Sequence, residues 1–251
     1  MKLNGNTILI TGGGSGIGRG LAEALHRLDN QIIISGRRKG HLAATVGANP
    51  GMRSVQLDVT DPRNIAAVTK RLIAEFPKLN VLVNNAGVMM PDDAAGAIDD
   101  ELLVSTVTTN LLGPIRMTSA VLEHFKKQPY AAVINMSSVL GFVPLAMTAV
   151  YSSTKAALHS YTLSLRYKLR GTSVRVQEIA PPWVRTDLMN SKDAPRAMPL
   201  EQFIKETMKP LGSDDEEVLV ESAKAMRSNP GPSEHALVKQ FNDAMAGNVP
   251  G

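Results

Sequence analysis

The sequence predicts an α/β fold class built on a doubly wound parallel sheet of about six strands. Two observations support this prediction. Across residues 1–180, β-branched runs alternate with amphipathic segments, which is typical of a sheet with helices on both faces. The runs are almost continuously apolar, as expected of strands that are covered on both sides. No repeat or linker divides the chain of 251 residues, so we expect a single domain over residues 1–251.

Six runs have the length and composition of strands, and turn residues separate them. In chain order they are "TILIT" at 7–11, "QIIIS" at 31–35, "RSVQL" at 53–57, "NVLVNNAG" at 80–87, "AAVINMSS" at 131–138 and "SVRVQEIA" at 173–180. Helical periodicity predicts helices at 19–28, 61–76, 99–127 and 151–169, with Gly113-Pro114 interrupting the third.

The chain after residue 180 has a different character, and we recognise no strand in it. Residues 187–199 have the composition of a loop, and a capping-box pattern at Ser213 predicts a helix through about Met226. Residues 233–246 read as a further helix, after which the chain frays. We therefore expect a helical C-terminal segment instead of a clear seventh strand, with residues 187–230 covering a substrate.

The composition excludes several classes of protein. There is no cysteine, so disulfides and thiolate chemistry are impossible. The net charge is +4, but the basic residues are scattered and aromatic residues make up 4%, so no nucleic-acid partner is expected. No apolar run is long enough to cross a membrane and no signal peptide is recognised, so we expect a cytoplasmic protein without a membrane partner. The five histidines show no ligand-like clustering, so no metal is expected.

A glycine loop joins the first strand to the first helix. Gly12, Gly16 and Gly18 remove the Cβ atoms that would keep a pyrophosphate off the backbone, and the helix N-terminus offers N–H groups to it. The spacing G-x-x-x-G-x-G differs from the standard dinucleotide fingerprint, and an ordinary tight turn is the alternative. The strand before it and the helix after it favour a Rossmann-like dinucleotide site.

Five motifs follow one another in a recognisable order: "TGGGSGIG" at 11–18, "NNAG" at 84–87, Asn110, "SS" at 137–138 and "YSSTK" at 151–155. Together they resemble the short-chain dehydrogenase/reductase superfamily, in its short single-domain branch, over residues 5 to about 188. "NNAGVMMPDD", "PPWVRTDL" and the helical tail are similar to a bacterial subgroup called DltE-like, a name that does not fix a substrate.

The candidate catalytic pair is Tyr151 and Lys155, which share one face of a helix. A tyrosine needs its pKa lowered by roughly three units, or about 4 kcal/mol, to exchange protons at neutral pH. A close ammonium, helped by an oxidised nicotinamide, is expected to supply this. The alternative is an exposed pair on an amphipathic helix. Ser138 favours the catalytic interpretation, because it follows a strand at the edge where ligands bind.

The resemblance implies a role for each of these residues. Tyr151 is the acid/base, Ser138 stabilises the substrate oxygen, and Lys155 modulates the pKa of Tyr151 and binds the ribose. Asn110 anchors a water that passes protons to Lys155, and a polar position on a helix surface is the alternative for it.

The second strand ends in "SGRR" at 35–38, where the adenosine ribose is expected to lie. The position that selects NAD with an acidic residue is Gly36, so nothing repels a 2′-phosphate. Arg37 can fork onto that phosphate, Ser35 can donate to it, and Arg38 either adds charge or faces solvent. The sequence therefore predicts NADP(H) over NAD(H).

Further cofactor contacts are implied by the resemblance alone. They are Gly12, Ser15, Gly16, Ile17, Gly18, Asp58, Val59, Asn84, Ala86, Gly87, Pro181, Val184 and Thr186, together with Tyr151 and Lys155. Asp58 is otherwise a strand-end turn residue, and Asn85 and Gly87 otherwise only shape their turn. Pro182 replaces a glycine of the family pattern, which puts the local path of the chain in question.

The predicted activity is that of an NADP-dependent oxidoreductase acting on CH–OH groups, a carbonyl reductase or alcohol dehydrogenase. One alternative is a reductase of a sugar or cell-wall precursor, and another is an NADP(H)-sensing regulator without turnover. Apolar residues near the site suggest an apolar substrate, although half or more of them can equally be core. They are Met89, Met90, Val139, Leu140, Met147, Trp183, Leu188 and Met189. Without a seventh strand, the helices at 105–127 and 151–169 favour a homodimer over a tetramer.

Overall fold

The computed structural model describes residues 1–228 and 231–246. A parallel sheet of seven strands forms its centre, in the order β3-β2-β1-β4-β5-β6-β7. The strands are β1 Thr7–Thr11, β2 Gln31–Gly36, β3 Arg53–Gln56, β4 Leu79–Asn84, β5 Ala131–Met136, β6 Val174–Ile179 and β7 Glu217–Val218. The predicted α/β class and parallel sheet are confirmed. Within the described residues, no helix combines the length and apolar character needed to cross a membrane.

Helices cover both faces of this sheet. They are α1 Gly16–His26, α2 Lys39–Ala48, α3 Pro62–Glu75, α4 Asp100–Val107, α5 Gly113–Phe125, α6 Ala149–Lys168, α7 Leu200–Leu211, α8 Glu221–Arg227 and α9 Glu234–Ala246. Alternate residues of β1 serve the two faces, since Ile8 and Ile10 join one core cluster and Leu9 joins the other. This explains why the strands are continuously apolar.

The predicted absence of a seventh strand is wrong. β7 pairs in parallel with β6, with Glu217 opposite Glu178 and Val218 opposite Ile179. Ser213 does not begin a helix: its Oγ donates to the carbonyl of Pro210 and accepts from N–H of Asp215, which closes a turn after α7. A strand of two residues is too short to leave a pattern in the sequence.

The long helical stretch before β5 is interrupted earlier than predicted. A π-helical turn, Thr108–Leu112, separates α4 from α5, and Gly113 and Pro114 begin α5. A Cβ on Gly113 would lie 3.2 Å from the carbonyl oxygen of Val59, so this glycine allows α5 to approach the end of β3 closely.

The C-terminal segment folds back over the loop between β5 and α6. Phe142, Val143 and Ala180 form a small core cluster, and α9 packs Phe241 against it. Asn242 fixes α9 there, because its Oδ1 accepts from N–H of Ala146 at 2.6 Å. The predicted helix at 233–246 is confirmed as α9. The frayed end predicted after it, and residues 229–230 of the predicted cover, lie outside the described residues.

Candidate active site

A large cavity of about 910 Å³ lies at the carboxyl ends of the strands. Ligands of open α/β sheets bind in the crevice at this edge, so this cavity is the candidate active site. The predicted site residues that line it are Gly12, Ser15, Gly16, Ile17, Gly18, Arg37, Arg38, Asp58, Val59, Ala86, Gly87, Ser138, Tyr151, Lys155, Pro181, Val184 and Thr186. Asn84 and Asn110 are predicted site residues that do not line it.

Gly12 in the loop after β1 and Gly18 in the first turn of α1 have no room for a side chain. A Cβ on Gly18 would lie 2.4 Å from both Nδ2 of Asn85 and the carbonyl oxygen of Gly12. Gly12 has a φ of 68°, and a Cβ there would lie 2.9 Å from the same Nδ2. The loop therefore presents bare backbone and the N-terminus of α1 to the cavity, an arrangement that fits the pyrophosphate of a dinucleotide.

Asn85 holds this turn, so the shaping role left open for it is confirmed. Its Nδ2 donates to the carbonyl of Thr11 at 2.9 Å, and its backbone N–H donates to the hydroxyl of Thr11 at 3.0 Å. The N–H of Ala86 donates to the same hydroxyl at 3.0 Å. The "NNAG" segment is thus fastened to the end of β1 beside the glycine loop.

Tyr151 and Ser138 reach the cavity from different elements. Tyr151 is the third residue of α6, and Ser138 lies two residues beyond β5. Both side chains are buried, so the exposed alternative for Tyr151 is wrong. Burial raises the pKa of Tyr151 to about 12, and a hydrogen bond with Ser138 opposes the rise. The phenol therefore keeps its proton at neutral pH.

Lys155 lies one turn after Tyr151 on the same face of α6, as predicted. Its Nζ is 5.4 Å from the centre of the Tyr151 ring and donates to the carbonyl of Met136 at 2.8 Å. Burial lowers the pKa of Lys155 to about 8, and the charge of Glu178 opposes the fall. The sequence analysis expects a lowered pKa for Tyr151, whereas in the chain alone this pKa is raised. The cause is burial of the phenol, which outweighs the hydrogen bond with Ser138.

Asn110 lies inside the π-helical turn and is fully buried, so the surface alternative is wrong. Its Oδ1 accepts from N–H of Val88 at 2.9 Å, and its Nδ2 donates to the carbonyl of Val88 at 2.8 Å. A Cβ on Gly87 would lie 3.3 Å from Oδ1 of Asn110 and 3.8 Å from Nζ of Lys155. Asn110 is therefore close to Lys155, and its predicted role in a proton relay stays a prediction. π turns are frequent at functional sites.

The two arginines after β2 both line the cavity. Arg38 donates from Nη2 to the hydroxyl of Ser15 at 2.9 Å, which places its guanidinium against the glycine loop. Arg37 is exposed, and its guanidinium makes no hydrogen bond to the described residues. Ser35 is buried on the cavity wall, and its hydroxyl has no partner among the described residues.

Asp58 fulfils the turn role left open for it and also lines the cavity. Its Oδ1 accepts from N–H and from the hydroxyl of Thr60, at 2.9 and 2.7 Å. These bonds fix the carboxylate of Asp58 at the edge of the cavity.

Asn84 differs from its predicted role. Its Nδ2 donates to the hydroxyl of Thr118 at 3.0 Å and to Oδ1 of Asn135 at 2.9 Å, so its amide joins a buried network between α5 and β5. The structure therefore shows no side-chain contact of Asn84 with the cavity. A polar residue at a strand end is as well suited to such a network as to a ligand, and only the fold distinguishes the two.

The segment after β6 contains Pro182, and the residues that follow this proline make defined contacts. Val184 forms a parallel bridge with Met198, and the hydroxyl of Thr186 accepts from N–H of Leu188 at 3.3 Å. A Cβ on Gly16 would lie 3.4 Å from the side chain of Thr186, so Thr186 packs against the glycine loop. Thr186 lines the cavity beside that loop.

Three potential metal ligands come together among the described residues, and the expectation that no metal binds stays a prediction. Ligand atoms of His159, Glu178 and Glu217 lie within 4.8 Å of one another. The sequence could not show this, because they belong to α6, β6 and β7. Nδ1 of His159 is 2.8 Å from Oε2 of Glu178, and Arg227 donates to both carboxylate oxygens of Glu217 at 2.6 and 2.9 Å. Arg227 supplies a cation to this group, which links α6 to α8.

The apolar wall of the cavity extends beyond the predicted residues. Met90 is the one predicted apolar residue that does not line the cavity. The predicted residues that line the cavity are Met89, Val139, Leu140, Met147, Trp183, Leu188 and Met189. Met226, Phe241 and Met245, from α8 and α9, also line it and were missed. Helical periodicity predicts α9 but carries no signal for the surface on which that helix packs.

The fold agrees with the comparisons to known proteins. The sequence model of the short chain dehydrogenase family matches residues 6–197. The chain belongs to the short-chain dehydrogenase family. It is 38% identical over 249 residues to the uncharacterised oxidoreductase DltE of Bacillus subtilis (strain 168), which covers 96% of this chain and 98% of that relative. This similarity confirms the predicted likeness to the DltE-like subgroup.

Two other known proteins are similar to this chain, with lower sequence identity than DltE. For one of them the match is also shorter. The NADP-dependent 3-hydroxy acid dehydrogenase of Schizosaccharomyces pombe is 32% identical over 192 residues, covering 74% of each chain. The crystal structure of a short chain dehydrogenase from Burkholderia cenocepacia J2315 in complex with NADP has a TM-score of 0.84 and 26% identity, over 96% of this chain and 98% of that one.

Proposed function

We propose that the protein is an NADP(H)-dependent carbonyl reductase or alcohol dehydrogenase. Tyr151, Lys155 and Ser138 meet in the cavity whose other end holds the glycine loop and two arginines, and this observation carries the proposal. A regulator without turnover does not require that arrangement. Replacing Tyr151 with Phe tests the proposal: turnover of a ketone should be lost while NADPH binding, followed by calorimetry, persists. Equal activity of Tyr151→Phe and the parent would falsify the catalytic assignment.

The cofactor, when bound, supplies or accepts the hydride at a carbon of the substrate. The protein's own residues manage the proton. Tyr151 holds a proton at neutral pH, because its pKa is about 12, and can donate it to the carbonyl oxygen. Ser138 donates to the same oxygen as negative charge develops there.

Lys155 supports this chemistry as a cation. Its pKa of about 8 keeps it protonated at neutral pH in spite of complete burial. The ammonium donates one hydrogen bond to Met136, and its other protons are available to the cofactor ribose and to a water held near Asn110. This charge near Tyr151 stabilises the phenolate that forms after the proton leaves.

The choice of NADP(H) rests on Arg37 and Arg38. Both line the cavity, and Arg38 already lies against the glycine loop. Relatives from Schizosaccharomyces pombe and Burkholderia cenocepacia, which are described with NADP, support the same choice. A charge-assisted hydrogen bond contributes about 1.5–3 kcal/mol, so each replacement by alanine should weaken NADPH binding by roughly 10- to 100-fold and leave NADH binding unchanged.

The matched control for these two variants is Arg71→Ala, because Arg71 is an exposed arginine on α3 that does not line the cavity. Equal or better catalytic efficiency of the parent with NADH than with NADPH contradicts the proposed selectivity. So does an unchanged NADPH affinity in both arginine variants.

The substrate is proposed to be an apolar ketone or aldehyde. Methionine, leucine and aromatic side chains surround the catalytic end of the cavity, and α8 and α9 add Met226, Phe241 and Met245. A panel of ketones and aldehydes of increasing apolar size, with sugars and wall-precursor analogues as the other arm, tests this. Faster turnover of the polar arm contradicts the apolar assignment.

We also propose a homodimer. Large apolar side chains are exposed on α4, at Leu103 and Val104, and on α6, at Leu163 and Tyr167. Burying such side chains between two copies is favourable. Because β7 is present, the predicted lack of a seventh strand no longer argues against a tetramer. The proposed dimer therefore rests on these exposed helix residues alone, and mass measurement by light scattering tests it. A clean tetramer mass contradicts the proposed dimer.

A further inference from the structure

The helix that carries Tyr151 lacks a side-chain cap of its own. Thr148 occupies the N-cap position of α6, and its side chain makes no capping bond. Its hydroxyl points instead to the carbonyl of Leu145 at 3.5 Å. The first N–H groups of a helix have no partner within the helix, so those of α6 need an acceptor from elsewhere.

Asp92 supplies that acceptor from a different part of the chain. Its Oδ1 accepts from N–H of Ala149 at 3.0 Å, and its Oδ2 accepts from N–H of Val150 at 2.9 Å. These are the two residues directly before Tyr151. The carboxylate also places a negative charge at the positive end of the helix dipole. The whole side chain of Asp92 is therefore committed to the first turn of α6.

The segment from Val88 to Asp92 is itself fixed at both ends. At Val88, the side chain of Asn110 bonds the backbone N–H and the backbone carbonyl. At the other end, the N–H of Asp92 donates to the carbonyl of Met147 at 2.9 Å. The loop therefore connects the "NNAG" turn of the cofactor half with the start of the catalytic helix.

We propose that Asp92 is a positioning residue that sets the first turn of α6 and thereby the place of the Tyr151 hydroxyl. Asp92 does not line the cavity, so it acts through the helix rather than by touching a ligand. The kinetic part of this inference rests on the proposed function. Misplacing a catalytic group by about 1 Å can reduce the rate by about 100-fold, so small movements of this turn matter.

The test compares Asp92→Ala and Asp92→Asn with Asp61→Ala. Asp61 is a matched control, because it caps α3 with two bonds, to N–H of Arg63 at 2.8 Å and of Asn64 at 3.2 Å, and α3 carries no catalytic residue. We expect kcat to fall roughly 10- to 100-fold in Asp92→Ala, since the hydroxyl moves, with NADPH affinity retained. Asp92→Asn keeps one acceptor oxygen and should have an intermediate kcat. Asp61→Ala should lower thermal stability and keep kcat.

Several outcomes overturn the proposal. One is a folded Asp92→Ala with the kcat of the parent, and another is an equal loss of kcat in Asp61→Ala. A loss of NADPH affinity as large as the loss of kcat assigns Asp92 to the cofactor loop instead. If Asp92→Ala does not fold, the comparison of Asp92→Asn with the parent decides in the same way.

Hydrogen exchange separates this proposal from the proposed function. In Asp92→Ala, the amides of Ala149 and Val150 should exchange faster than in the parent, and those of α3 should not. This readout needs no substrate. If no carbonyl compound is turned over by the parent, the proposed function fails and exchange still tests the cap. Unchanged protection of these two amides shows that Asp92 does not hold the turn.

Discussion

Replacing Gly141 with alanine should slow the reaction without changing any reacting group. Gly141 ends a short 3-10 turn, Val139–Gly141, which begins directly after Ser138. A Cβ at Gly141 would lie 2.9 Å from the carbonyl carbon and 3.0 Å from the carbonyl oxygen of Lys155. It would lie 3.1 Å from the backbone nitrogen of Ala156. All three atoms are backbone of α6, so no side chain can rotate away.

The size of the displacement follows from these distances. An ordinary contact begins at 3.4 Å, so the turn and α6 must separate by at least 0.5 Å, the difference between 3.4 and 2.9 Å. The new methyl group overpacks the interface at a cost of about 1–3 kcal/mol. Ser138 stands on one side of this interface, and Tyr151 and Lys155 stand on the other. A misplacement of about 1 Å can reduce the rate by about 100-fold, so a displacement of about half that distance predicts a loss in kcat on the order of tenfold.

The assay is the absorbance of NADPH during turnover, together with direct measurement of NADPH binding, which should not change. Gly47→Ala is the matched control, because Gly47 lies in α2 and a Cβ there would meet nothing within 4 Å. It should keep kcat and gain about 1 kcal/mol of stability from the better helix propensity of alanine. A Gly141→Ala variant with the kcat and thermal stability of the parent refutes the reasoning, because the close contact would then be absent.

Three further predictions concern charge, protonation and the apolar wall. Glu178→Gln removes the charge that raises the pKa of Lys155, so that pKa should fall below about 8. The basic limb of the pH profile of kcat/KM should then move to lower pH, and an unmoved limb contradicts the coupling. Between pH 10.0 and about 12 the folded chain keeps the proton of Tyr151 and the unfolded chain releases it, so the folded state binds more protons and stability is lost as pH rises. Urea titrations should accordingly show the unfolding free energy of the parent falling across this range relative to that of Tyr151→Phe. Phe241→Ala removes an aromatic ring from the cavity wall, and steady-state kinetics should show a higher KM for large apolar ketones, with an unchanged KM for NADPH.

Sequence patterns were sufficient to predict most of the sheet and to find three side chains, of Ser138, Tyr151 and Lys155, that line the cavity. Five-residue apolar runs such as β1 are long enough to be distinguished from turns, and Ser138, Tyr151 and Lys155 belong to short motifs at element ends. The pattern fails for α2, since "KGHLAATVGA" contains two glycines and little amphipathic character. Contacts with β2 and β3 supply what the propensity of α2 does not.

The missed features depend on pairs of residues that lie far apart in the chain. Asp92 caps residues 57 and 58 positions away, and Asn84 binds Asn135 across 51 positions. Neither residue differs in type or spacing from an ordinary polar loop residue. The rise in the pKa of Tyr151 in the chain alone could not be predicted for a related reason. Burial depends on the whole fold, whereas the neighbouring lysine is visible in the sequence.

Arg37 and Arg38 differ in how far their side chains are fixed before a ligand binds, because Arg38 alone donates a hydrogen bond to Ser15. Immobilising a flexible side chain at a binding site costs about 0.5–1.5 kcal/mol. Arg38 is already ordered in the protein, whereas Arg37 has no such partner among the described residues. A phosphate that binds here replaces the neutral hydroxyl of Ser15 as the hydrogen-bond partner of Arg38. The same phosphate must still immobilise the side chain of Arg37. If the proposed phosphate site is correct, Arg38, for which the sequence left a solvent-facing alternative open, is the arginine that is held in place before the ligand binds.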